Sequence, residues 1–129
     1  MDLARTPETI AYTAAEELRA LNHRTLTSSA FTYPAEIQST ASGLNKLLQT
    51  LPQSLSQLTA GLDHVQQSQT LLSRDDTDVD QTVNEARAAI ASSAAHVKAA
   101  QQALQDVVDK LALVGVRYAP DEDEELSNA

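Results

Sequence analysis

Residues 37–72, IQSTASGLNKLLQTLPQSLSQLTAGLDHVQQSQTLL, and residues 79–114, VDQTVNEARAAIASSAAHVKAAQQALQDVVDKLALV, decide the fold. In the first stretch Ile37, Leu44, Leu51, Leu58, Val65 and Leu72 recur every seven residues, and Ala41, Leu48, Leu55, Leu62 and Gln69 interleave with them. In the second, Val79, Ala86, Ser93, Ala100, Val107 and Val114 form one ladder and Val83, Ile90, Val97, Leu104 and Leu111 the other. Two interleaved ladders of this period mark one seam on each of two helices. A single register unites them. With the turn centred on Arg74, Leu44 meets Leu104, Leu51 meets Val97, Leu58 meets Ile90 and Val65 meets Val83. Every other layer then falls into place, pairing one ladder of each helix with the opposite ladder of its partner. The two stretches therefore predict an antiparallel helical hairpin.

Working outward, Tyr33-Pro34 opens the first arm. Proline is pre-set for the first helical position, and Glu36 suits the positive end of the helix dipole. This arm is expected from about residue 34 to about 72. Pro52 lies inside it, removes one backbone hydrogen bond and crowds the Leu48 carbonyl. Because the ladder keeps its phase from Leu44 through Leu51 to Leu58, a kinked but continuous helix is expected. Ser73-Arg74-Asp75-Asp76 forms the turn. Asp76 or Thr77 caps the second arm, which runs from about residue 77 to about 114, and Gly115 is placed as its left-handed C-terminal residue. Upstream, Thr6-Pro7-Glu8 reads as another helix start, with Ile10, Ala14, Leu18 and Leu21 on one face of a helix over about 7–26. The expected fold is all-α: an antiparallel three-helix bundle built on a long hairpin. It comprises one domain over residues 1–116 and a disordered acidic tail over 117–129.

Composition agrees with this and narrows the function classes. The 129 residues contain no cysteine, so disulfides and thiolate metal sites are excluded. Aromatic residues make up only 3% of the chain and there is no tryptophan, so the core must be aliphatic. Nine basic residues face eighteen acidic ones, for a net charge of -9, and a surface of that sign disfavours binding to nucleic-acid phosphates. No apolar run is long enough to enter a bilayer, so no membrane insertion is expected. The N-terminus lacks a basic segment followed by an apolar run, so a cytoplasmic location is expected.

The first helix is the short one. At ~20 residues it spans ~30 Å, against ~55–60 Å for each arm of the hairpin. It is expected to cover the open end, from the layer of Ile37 to that of Leu55. The turn-proximal half is left bare, and Leu58, Leu62, Val65, Leu71, Leu72, Val79, Val83 and Ile90 form its candidate interaction surface. An exposed apolar strip of this kind marks self-association or a protein partner. The leading expectation is thus a noncatalytic protein-interaction or scaffolding module, homodimeric through that half.

No nucleophile motif, phosphate loop or metal-ligand spacing occurs, so no enzyme activity and no cofactor are expected. In the register above, His64 and His96 lie well over ~10 Å apart along the axis and share no metal. His23 is the most suggestive histidine. It ends the first helix between Asn22 and Arg24, close in sequence to Tyr33, and these four residues form a candidate polar cluster against the helix carbonyls. Two alternatives remain open. Arg19, Arg24 and Arg117 offer a basic patch to a DNA-contacting regulator. Tyr118-Ala-Pro-Asp-Glu122 resembles the export signal of small type VII secretion substrates. The Trp-x-Gly turn of those proteins is replaced here by Ser73-Arg74-Asp75-Asp76, and an extra helix precedes the hairpin.

Three segments carry a further resemblance: Ala20-Leu21-Asn22-His23-Arg24-Thr25-Leu26, Thr32-Tyr33-Pro34-Ala35-Glu36-Ile37, and Leu51-Pro52-Gln53-Ser54-Leu55-Ser56-Gln57-Leu58. In this order, over roughly residues 10–110, the chain resembles a group of small Ala-rich helical proteins of Streptomyces and related actinobacteria, to which no activity is assigned. The resemblance implies an actinobacterial source and a cytoplasmic accessory role. It implies no catalytic residues. It does imply that Asn22, His23, Arg24, Tyr33 and Pro52 belong to the design.

Overall fold

A computed structural model of the protein describes residues 1–117. The described chain is all-helical: α1 (Pro7–Arg24), a single 3-10 turn (Ser28–Ala30), α2 (Pro34–Ser68) and α3 (Val79–Leu111). The expected acidic tail lies outside the described residues, apart from Arg117. Among the described residues no helix is long and apolar enough to cross a membrane.

The helix starts follow the local chemistry of the sequence. Thr6 caps α1 by accepting from the Thr9 amide at 3.3 Å, and Pro7 occupies the first helical position. Pro34 does the same for α2, where the Glu36 carboxylate reaches back to accept from the Thr32 amide at 3.0 Å. The expected cap of α3 shifts by a residue or two. Asp78, rather than Asp76 or Thr77, accepts from the amides of Asp80 and Gln81 at 3.0 and 3.3 Å. Asp76 instead takes a left-handed turn conformation, φ 62°, which a short polar side chain tolerates. The hairpin connection is correspondingly longer than the sequence suggests, over residues 69–78, because α2 stops at Ser68 instead of near Leu72. Gln69 turns to extended backbone, and Leu71 and Leu72 leave the helix.

At the far end α3 stops at Leu111, short of Val114. It unwinds through three successive turns, Ala112 N–H to Val108 O, Leu113 N–H to Lys110 O and Val114 N–H to Leu111 O, each at 3.1 Å. Gly115 is not left-handed, so it does not form the expected cap. One last i to i−4 bond followed by two i to i−3 bonds satisfies those carbonyls instead. Pro52 sits within an unbroken α2, as the phase of its ladder implied.

α2 and α3 pack closely against each other, and α1 packs far more loosely. Hydrogen bonds across the seam confirm an antiparallel pairing near the register centred on Arg74. The residue opposite Asn45 in that register is Ala103, and Asn45 bonds Gln101 and Gln105, which bracket it. Gln38 donates to the Val108 carbonyl at 3.3 Å, and Arg87 bonds Asp63.

The rotation of each helix within the seam differs from expectation. The ladder Ala41–Leu48–Leu55–Leu62 is turned inward on α2, and Val83–Ile90–Val97–Leu104–Leu111 on α3. The second ladder is displaced by one residue on both helices. Gln38, Asn45, Pro52, Thr59 and Gln66 of α2 meet Arg87, Ala94, Gln101 and Val108 of α3, all buried or half-buried. Ala86, Ser93, Ala100 and Val107 are exposed. The cause is legible in the side chains. Alanine and serine add little apolar area, whereas the roll brings Arg87, Gln101 and Gln105 within bonding reach of α2.

Candidate interaction surface

Polar layers punctuate the seam at two levels. In the open half Asn45 is 5% exposed, with both polar atoms of its side chain hydrogen-bonded. Its amide donates to Gln105 Oε1 at 2.7 Å, and its carbonyl accepts from Gln101 Nε2 at 3.2 Å. Gln105 passes the chain on to Asp109 at 2.9 Å. In the turn half the Arg87 guanidinium gathers three side chains. Nε donates to Asp63 Oδ1 at 2.8 Å, one terminal nitrogen donates to Asn84 at 2.9 Å, and the other bonds Gln66 and lies 2.7 Å from Asp63. Sequence periodicity treats all these positions as outer flank, and only the pairing of long amides and charges across the register could have flagged them.

α1 lies antiparallel along α2. Ala14, Ala15 and Leu18 border Gly43, Lys46, Leu47, Thr50 and Leu51, while Pro7 and Ala11 border Leu51, Leu55, Leu58 and Gly61. Both contacts are open apolar grooves, and α1 has no buried residue. On α2 the stripe Gly43–Leu47–Leu51–Ser54–Leu58 lies well round the helix from Ala41, Asn45 and Leu48, which face α3. α1 is therefore an outrigger on one edge of the hairpin, not a lid over both arms. It also reaches further than expected, to Leu58 and Gly61 instead of Leu55.

The predicted strip divides accordingly. Val83 is buried at 8% exposure, in the seam itself. Leu62, Leu71, Val79 and Ile90 are half-buried. Leu58, Val65 and Leu72 are open, at 59%, 42% and 78%. An apolar hollow at the turn is lined by Leu71, Leu72, Val79 and Val83 and rimmed by Asp75. There the Asp75 carboxylate accepts from the Ser73 and Thr77 hydroxyls at 2.6 and 2.7 Å and from the Thr77 amide, which holds its pKa below the usual carboxylate range.

The polar cluster expected at the end of α1 is not assembled. Asn22, His23, Arg24 and Tyr33 are all exposed, and among the described residues no hydrogen bond joins them. Thr25 takes the position instead, with its amide and its hydroxyl both donating to the Leu21 carbonyl at 3.0 and 2.8 Å. Arg19, Asn22, His23 and Leu26 border only a small shallow depression. His96 Nδ1 lies 2.7 Å from the Ser92 carbonyl of its own helix. Among the described residues no group of three His, Asp or Glu side chains is placed to hold a metal ion. Tyr118 and the rest of the export-like motif lie outside the described residues. Comparison of the chain with protein-family models, with curated proteins and with solved structures returned no match.

Proposed function

We propose that the protein is a cytoplasmic, noncatalytic interaction or scaffolding module that self-associates through the turn-proximal half of its hairpin. The supporting observation is the open side of α2 where α1 runs out: Leu58, at the last contact with α1, and Val65, a heptad beyond it, stand exposed on one face. The exposed Ala86 and Ser93 of α3 border the same face, since equivalent heptad positions of an antiparallel pair lie on one side of it. Side chains this small permit close approach of another helix. A second copy laid on this face completes a four-helix layer where the isolated hairpin has only two.

Sedimentation equilibrium across a concentration series tests the reading. A dimer that dissociates on Val65→Glu, with helicity retained, supports it. A wild-type chain that stays monomeric at several hundred micromolar removes it.

A further inference from the structure

We infer that the two polar layers of the seam act as a register lock, selecting one pairing of α2 with α3 from three that the apolar ladders accept. Ladders that repeat every seven residues map onto themselves when one helix slides by a heptad, about 10.5 Å. The connection does not prevent such a slide, because residues 69–78 reach ~33 Å when extended. Apolar content and loop length therefore leave the register undetermined by multiples of seven.

The polar residues break this degeneracy. Sliding α3 so that Asn45 faces residues seven further along sets its amide between Val108 and Ala112. Gln101 and Gln105 then flank Pro52, which offers no side-chain partner. Arg87 meets Thr70 and Ser73, beyond the end of α2. Sliding the other way is less costly at the first layer, because Gln38 arrives between Gln101 and Gln105 while Asn45 falls between Ala94 and Lys98, whose amine is a donor for its carbonyl. The second layer rejects it: Arg87 moves from Asp63 and Gln66 to Ser56 and Thr59, and the guanidinium loses its carboxylate. The Arg87 layer thus opposes both slides, and the Asn45 layer adds a second barrier against one of them. A buried polar side chain fixing register is a well-attested use of such residues.

The chain has no cysteine, so nitroxide labels on Gln49→Cys and Gln81→Cys, both exposed, report the register by pulsed dipolar spectroscopy. Diluted with excess unlabelled chain, so that only the two labels of one chain report on each other, the wild-type seam gives one distance. Arg87→Leu adds a population about 10 Å shorter, and Arg87→Leu with Asn45→Leu adds one about 10 Å longer as well. Moving the amide by a heptad, with Asn45→Leu, Pro52→Asn and Arg87→Leu together, makes the longer distance dominant. A single unshifted distance in all three variants overturns the lock. Loss of helical circular dichroism in the variants overturns it too, because the layers would then support folding itself instead of choosing among folded registers.

Discussion

The two halves of the hairpin solve the same packing problem differently. In the open half, Asn45 is sealed between Gln101 and Gln105, and α1 shields one edge of α2. In the turn half, the polar layer is a partly exposed ion pair, with Arg87 and Asp63 side chains 26% and 47% accessible, and Leu58, Val65 and Leu72 face outward. A seam between two helices cannot bury a whole apolar stripe on each. Where a third helix runs alongside, part of the excess is shaded, although Ile37 and Val107 at the open end stay exposed at 42% and 43%; Leu58 and Leu72 of the turn half are more open still. The contrast makes the turn half the place to look for a binding partner.

The largest expected effect separates the halves by association. Val65→Glu should weaken the proposed dimer by roughly 30-fold or more, because it buries an unpaired charge at the new interface. Leu47→Glu, beneath α1 in the open half, should leave the dimer constant within about threefold, and sedimentation equilibrium distinguishes the two. Next comes stability. Asn45→Ala strips partners from two half-buried amides and should cost about 1–3 kcal/mol in urea unfolding. Asn45→Leu should cost less, since it refills the space. Arg87→Ala removes a half-buried guanidinium that bonds Asp63, Gln66 and Asn84 and should cost about 1–3 kcal/mol, discounted toward the lower figure because Asp63 still meets water.

α1 sharpens the comparison further. With no buried residue, its amides should exchange with deuterium well before those of α2 and α3, and removing residues 1–26 should leave the hairpin helical by circular dichroism. If α1 instead exchanges together with the hairpin, the outrigger is as firmly held as the seam. The smallest effect belongs to Asp75. Its pKa is lower in the folded chain than in the unfolded one, so its contribution is complete above about pH 4 and fades as pH falls through the folded value. Asp75→Asn should flatten that acid limb of the stability curve slightly and leave stability near pH 7 little changed, as expected for a fully exposed group.

Much of this architecture is legible in the chain. Thr6-Pro7, Tyr33-Pro34 and the Asp76–Asp80 run announce three helix starts, and each acts through backbone amides only a few residues away. The position of the turn follows from matching two ladders end to end. The candidate surface is less legible. Val83 belongs to the strip by spacing and to the core by geometry, and at the end of α1 it is Thr25, not His23, whose side chain bonds a helix carbonyl, that of Leu21.

The sequence by itself determined the helices, the continuity of α2 across Pro52 and an antiparallel pairing in whole-heptad steps, because caps act locally and a seven-residue period is a property of the chain. Tertiary structure alone decided how far each helix rolls about its own axis and where α1 comes to rest. The period is the same for every ladder on a helix. Which ladder turns inward depends on partners across the seam: Asn45 finding Gln101 and Gln105, and Arg87 finding Asp63, while Ala86, Ser93 and Ala100 had too little surface to hold the helices the other way.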